Sequence, residues 1–213
     1  MLITSMTHII PPTFLELFRK RAVNIHPAIL PHYRGPSPFL GMILDNTADL
    51  YGGVTLHELT EGIDEGPIIA QRHCPRSEAI NFFDWELRLA KATSDMFSSD
   101  LIDYLDGKKI PTDQIGMGNY RRVKRSEIEI GTSSSLPELR RIFDQLGKGF
   151  KMFWVDKKSS VSYQVTSIRR VIGPPNGEHP HIGRFIIETD IKDARVHLNR
   201  RSGFSRLARS WAK

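Results

Sequence analysis

Only one cysteine, Cys74, occurs in 213 residues. It cannot form an intrachain disulfide, fits a reducing cytoplasmic compartment, and reads as a small apolar filler. No apolar run approaches the roughly 20 residues needed to cross a bilayer, so no membrane association is expected. The opening Met1-Leu2-Ile3-Thr4-Ser5-Met6 lacks a basic region ahead of a long apolar stretch, and no secretory signal is expected. There is no internal repeat. The histidines do not form a usual metal-binding helix pair, and no metal site is expected.

What is present suits an ordinary globular protein, with 39% hydrophobic and 25% charged residues. The length allows two unequal domains without metal or disulfide support. The net charge of +6 is concentrated after residue 120. Arg121, Arg122, Lys124 and Arg125 form a cluster, followed by Arg140, Arg141, Arg169, Arg170, Arg200, Arg201, Arg206 and Arg209. Such a distribution suits an anionic partner such as RNA or a nucleotide. A solvated basic surface is the plainer reading, since no RNA-recognition motif accompanies it.

Along the chain, residues 1–5 predict a short strand with nothing before it to pair with. Pro11 and Pro12 open a predicted helix over Thr13–Arg21, with Phe14, Leu17 and Phe18 on one face. A strand, Ala22–His26, leads into the Pro- and Gly-rich loop 27–38. A helix over Phe39–Asp45 and strands of alternating faces at Gly53–Leu59 and Pro67–Cys74 follow. Asn81–Leu105 predicts one long core helix, because Phe82, Trp85, Leu89, Ala92, Met96, Leu101 and Leu105 recur at helical steps ahead of Gly107. The domains expected are a first one over 1–110, a linker over 111–135, and a small β-rich domain over 136–213. The last opens with a helix at Leu136–Leu146 and continues with strands near 151–155, 161–171, 183–189 and 194–199.

Asn24 and His26 stand two apart on a predicted strand, so an amide and an imidazole share one side of the sheet. Asp64 sits in the turn Thr60–Gly66, where a carboxylate can approach His26. Singly, a strand histidine is more often structural, and an Asp in a Gly-rich turn is more often a turn former. Together, the run Asn24-Ile25-His26-Pro27-Ala28-Ile29-Leu30-Pro31, the strand Gly53-Val54-Thr55-Leu56-His57 and the turn Asp64-Glu65-Gly66-Pro67-Ile68 closely resemble the formyltransferase family. That family includes enzymes acting on methionyl-tRNA, glycinamide ribonucleotide and nucleotide-linked amino sugars, and a formyltetrahydrofolate deformylase. Its pattern is N-x-H-P-x-x-L-P, then G-x-T-x-H, then D-x-G-x-I. The match is strong from residue 5 to about 75 and loose beyond.

The resemblance implies an α/β fold: part of a Rossmann-like formyltransferase sheet with helices, followed by a small β-rich C-terminal domain. It implies 10-formyltetrahydrofolate as co-substrate, without metal. Asn24, His26 and Asp64 would be catalytic. Asn24 would donate to the developing oxyanion, His26 would assist at that oxygen and in proton movement, and Asp64 would orient the imidazole and help deprotonate the amine. The folate would lie between Met6-Thr7-His8-Ile9-Ile10 and the turn Thr60–Asp64, against His8, Ile9, Ile10, Thr60, Gly62 and Ile63; plain core packing is the alternative for the two isoleucines. Tyr33 and Arg34 would form a substrate-facing lip, or else pack the loop and face solvent. Relatives carry a further half-domain before the point matching Leu2, whose absence would leave a sheet edge for a partner or a second copy to cover. Ala28 stands where many relatives have Ser. The expected reaction is transfer of a formyl group to an amine on methionyl-tRNA or a nucleotide-linked amino sugar. Hydrolysis of formyltetrahydrofolate and a non-catalytic folate- or RNA-binding remnant are the alternatives.

Overall fold

In the computed structural model, residues 2–4, 10–18, 22–146, 152–178 and 180–201 are described, and they divide into two units, Met1–Val123 and Lys124–Lys213. In the first unit, strands β1 (Leu2–Thr4), β2 (Val23–His26), β3 (Gly53–Glu58) and β4 (Ile68–His73) make a sheet in that order. β1 and β2 run parallel; β2, β3 and β4 are antiparallel neighbours. β1 therefore pairs with a strand that follows it, and among the described strands it forms one edge.

Helix α1 (Pro12–Glu16) is shorter than the predicted Thr13–Arg21, with Leu17 and Phe18 in a turn and residues 19–21 outside the described set. Its apolar residues stay in water, Phe14 at 45% and Leu17 at 72% exposure. A five-residue helix needs tertiary cover to persist, and the spacing of its apolar residues does not supply that cover. Helices α2 (Pro38–Leu44) and α3 (Ala48–Tyr51) lie between β2 and β3 in sequence. The sequence pattern indicated α2 but not α3.

The predicted helix 81–105 is two helices, α4 (Phe82–Ser98) and α5 (Asp100–Leu105), broken at Ser99. The Ser98 and Ser99 hydroxyls donate to carbonyls one turn back, including Ser99 Oγ to Asp95 O at 2.7 Å, and this competes with the helix ladder. Asn81 caps α4 by accepting from the Asp84 amide at 2.9 Å. On the inner face, Trp85, Leu89 and Met96 are buried. The Trp85 ring meets Phe39 and Phe82 edge-on, and its Nε1–H donates to Cys74 O at 2.7 Å. Where alternation was expected in β3, Gly53–His57 are all buried, because this inner strand is covered on both faces.

Residues expected to form a linker are divided. The stretch to Val123 clusters with the first unit and Lys124 onward with the second. The second unit holds β5 (Glu129–Ile130), α6 (Leu136–Leu146), β6 (Met152–Val155), β7 (Ser162–Gly173), β8 (His181–Ile182), β9 (Ile186–Asp190) and β10 (Arg195–Arg200), with sheet order β5-β6-β7-β10-β9-β8. Its core combines Leu139, Ile142 and Leu146 of α6 with Trp154, Val165, Ile187, Val196 and Leu198 of the strands. The basic cluster is partly engaged within the units: Arg121 pairs with Asp45 at 2.9 Å, and Arg125 lies 3.5 Å over the Phe153 ring.

Candidate functional site

All four residues of β2 are buried, yet two of the four are polar. A buried strand that keeps an amide and an imidazole forgoes apolar burial there, and such local conflict concentrates at functional positions. Asn24 and His26 share one side of β2, and the turn after β3 carries Asp64 toward them. Its carboxylate lies 3.4 Å from Asn24 Nδ2 and 3.4 Å from His26 Nδ1. Asp64 adopts φ 54°, a left-handed conformation that Asp tolerates better than most residues. A fourth side chain joins them. His57 of β3 stands directly opposite Asn24 in the antiparallel register, with Nε2 3.2 Å from Asn24 Nδ2 and 3.6 Å from Asp64 Oδ1.

Hydrogen bonds to carbonyls assign the ring protons. His26 Nε2 lies 2.8 Å from Tyr33 O, which can only accept, so Nε2 carries hydrogen and the lone pair of the neutral ring is on Nδ1, facing Asp64. His57 Nδ1 likewise donates to Glu58 O at 2.8 Å, leaving Nε2 to accept from the Asn24 amide. That bond turns the NH2 of Asn24 toward the carboxylate. Asn24 Oδ1 is buried with no partner among the described residues. Burial drives the His26 pKa down; the Asp64 carboxylate and the bond to Tyr33 O oppose this only in part, and His57 adds to the lowering. Burial pushes the Asp64 carboxyl up, but His57, His26, whose ring is charged at the acid pH where this carboxyl titrates, and the Gly35 amide, which donates to Oδ2 at 2.9 Å, outweigh it and hold the group at about 2. The site thus pairs a neutral imidazole with a fixed carboxylate.

The other anticipated residues are distributed differently. Tyr33 is 3% exposed, and its hydroxyl bonds Thr47 and donates to Asp45 at 3.2 Å, so the ring packs inside the loop and does not stand at a lip. Arg34 donates to Gln114 Oε1 at 2.8 Å and to Glu65 at 3.3 Å. Of the folate set, His8 and Ile9 lie outside the described residues and Ile10 is half-buried; Thr60 is exposed, Gly62 half-exposed, and Ile63 is 40% exposed. Thr55, fully buried, donates to Ala28 O at 2.7 Å and accepts from the Leu30 amide and from Gln71, tying the loop after His26 to β3. His57 was visible in the G-x-T-x-H run without an assigned role; its register opposite Asn24 supplies one. Gln114 carried no signal in the sequence. Among the described residues, no group of three His, Cys, Asp or Glu side chains is arranged to hold a metal, and no helix is long and apolar enough to cross a membrane.

The α/β sheet and its loops thus define a polar site in which a buried amide, two buried imidazoles and a half-buried carboxylate meet. Residues 1–99 match the family model described as Formyl transferase. The methionyl-tRNA formyltransferase of Bdellovibrio bacteriovorus is 28% identical over 135 residues, covering 62% of this chain and 42% of that protein. The formyltransferase PseJ from Anoxybacillus kamchatkensis, solved with UDP-4,6-dideoxy-4-formamido-L-AltNAc and tetrahydrofolate, is similar with a TM-score of 0.52 and 29% identity. That match covers 59% of this chain and 65% of that one. HypX from Aquifex aeolicus, solved with tetrahydrofolic acid, shares the fold at a TM-score of 0.67 and 17% identity, over 92% of this chain and 34% of that one. Through its first 99 residues the chain is similar to formyltransferases. It spans less than half the length of the Bdellovibrio relative it matches.

Proposed function

We propose that this protein transfers a formyl group from 10-formyltetrahydrofolate to an amine carried by a tRNA or a nucleotide-linked amino sugar, with Asn24, His26 and Asp64 as its catalytic residues. The observation that carries this reading is the approach of the Asn24 amide and the His26 imidazole, each to 3.4 Å, to one carboxylate that stays ionised. One Asn24 N–H is held by His57, whereas the other lies at a long 3.4 Å from Asp64. The second is free to swing onto a formyl oxygen as negative charge grows there, the work of an oxyanion donor. As the amine nitrogen bonds to the formyl carbon and becomes cationic, its surplus proton can pass to His26 Nδ1. The imidazolium so formed would be paired with Asp64 Oδ2. Collapse of the tetrahedral intermediate breaks the bond from the formyl carbon to folate N10, and N10 leaves with a proton from the imidazolium. Asp64, at about 2, is too weak a base to hold that proton itself and serves as the counter-charge.

In this reading a folate ring would lie against the turn 60–64. The amides of Glu61, Gly62 and Ile63 donate no hydrogen bond to the described residues, and Ile63 offers an exposed apolar side chain beside them. The relatives named for methionyl-tRNA and the PseJ complex support an amine acceptor on a nucleotide-bearing molecule. The test measures tetrahydrofolate release from 10-formyltetrahydrofolate by the purified chain, with methionyl-tRNA, a UDP-linked amino sugar or no acceptor. Asn24→Ala and His26→Ala should each slow release by about a hundredfold or more. Wild-type turnover matched by both variants would overturn the assignment, and release that ignores every amine would make water the acceptor.

A further inference from the structure

Residues 112–121 lie beyond the part of the chain that matches the formyltransferase model, yet they are bonded to both loops that bracket the site. Thr112 exchanges backbone hydrogen bonds with Ile68, at 2.9 and 2.7 Å. Arg34 donates to Asn119 O at 2.9 Å and accepts from the Arg121 amide at 2.7 Å, while the Tyr33 amide donates to Asn119 Oδ1 at 2.7 Å. The approach is close enough that a Cβ on Gly35 would sit 2.5 Å from the Tyr120 ring, and one on Gly118 would sit 2.3 Å from Pro31 O. This segment is a strap across the site.

At the centre of the strap, one side chain reaches the catalytic turn. Gln114 Nε2 donates to Asp64 O and to Gly66 O, both at 2.8 Å, and its Oε1 accepts from Arg34 Nη2 at 2.8 Å and Nε at 3.3 Å. All of its amide capacity is thus used on two loops: one holds Asp64, and the other holds the Tyr33 carbonyl that fixes the His26 ring. We propose that Gln114 is a positioning residue: it sets the backbone of Asp64 against His26, and Arg34 is the clamp that orients Gln114. This deepens the formyl-transfer reading and rests on it for its kinetic consequence. Arg34 is 18% exposed at its side chain, with the guanidinium shared between Gln114 and Glu65. That commitment makes it a brace for the strap and not a free receptor for an anionic acceptor.

The chemistry of the clamp selects the variant. Gln114→Glu keeps the shape and the acceptor for Arg34, but it turns a carboxylate oxygen on two carbonyl oxygens that now receive N–H groups. Repulsion should push the Asp64 turn away. A site displaced by a fraction of an ångström loses between about tenfold and about a hundredfold in rate. Protonating the introduced carboxyl restores one donor, so the ratio of variant to wild-type turnover should rise as pH falls from 8 to 5. A role in general stability would give no such slope. Gln114→Ala, which lacks donor and acceptor, should be slow at every pH.

The experiment pairs this pH series with 15N spectra of the imidazoles in the ligand-free full chain. Gln114→Glu should move the His26 and His57 resonances and leave those of His181 and His197, in the second unit, in place. Unmoved His26 and His57 resonances, or Gln114→Glu turnover within twofold of wild type at pH 8, or a deficit constant with pH, would each overturn the proposal. If wild type shows no turnover while the resonances move as expected, positioning by Gln114 stands and formyl transfer is what fails.

Discussion

Replacing Asp64 by Asn isolates the charge at the centre of the site while keeping a residue that accepts the left-handed backbone, φ 54°, found there. The folded state holds this carboxyl at about 2 against an ordinary 3.8, and its side chain is 14% exposed, so solvent screens the interaction little. At about 1.4 kcal/mol per pH unit, the ionised carboxylate contributes about 2 kcal/mol to the first unit. Because the folded value is the lower one, the contribution is complete above about pH 4 and is lost as pH falls toward 2; about half should remain at pH 3. The assay is urea unfolding followed by Trp85 fluorescence between pH 7 and pH 3, with Trp154 and Trp211 replaced by Phe in every protein compared. Asp64→Asn should be less stable than its parent by about 2 kcal/mol at pH 7, with the gap narrowing by about half at pH 3. A gap that stays constant across that range, or a variant as stable as its parent at pH 7, would show that the carboxylate is not held by its neighbours as described.

Two further perturbations probe the scaffold. Trp85→Ala empties the fully buried centre of the aromatic cluster and should cost about 3–5 kcal/mol in the same unfolding assay, read by circular dichroism. Trp85→Phe, which mainly orphans Cys74 O, should cost about 1–3 kcal/mol. Gly66→Ala places a Cβ 1.9 Å from Glu58 O, a backbone atom that cannot swing aside. It should destabilise by about 1–3 kcal/mol and lower formyl release together with it, whereas unchanged stability would mean that the turn is looser than drawn.

Most of the scaffold was legible because its signals are local. Turn chemistry marked the 27–38 loop, and apolar spacing marked α6 over Leu136–Leu146. Where reading failed, a competing interaction was at work that periodicity does not encode. Apolar spacing runs through Ser99, but serine hydroxyls bonded to the preceding turn break the helix. For α1 the spacing was suitable and the cover was not, since Phe14 and Leu17 remain in water. The site divides in the same way. The spacing of Asn24 and His26 predicted a shared face, and the resemblance supplied Asp64. His57 needed the strand register to be assigned. Gln114 needed the third dimension outright, because 50 residues separate it from the carbonyl of Asp64 that it holds.

Tyr33 shows what the long-range bonds accomplish. Its φ of 57° is rare for a bulky aromatic residue and costs on the order of 1–3 kcal/mol, so something must hold it. Three partners do: Thr47 and Asp45 bind the hydroxyl, and Asn119 Oδ1 accepts from the amide. At about 1 kcal/mol for each hydrogen bond, the anchors are of the size needed to offset the strained backbone. The result is a fixed direction for the Tyr33 carbonyl, which takes the Nε2 hydrogen of His26 at 2.8 Å. With Nε2 committed, Nδ1 is the only nitrogen of the ring that can gain a proton, and Asp64 Oδ2 stands 3.4 Å from it. The strained residue in the Pro-rich loop therefore chooses the tautomer, and the tautomer aims the imidazole's basic nitrogen at the carboxylate. Its effect on the site runs through the backbone, which is why a tyrosine whose side chain is buried in that loop can fix the orientation of the His26 ring.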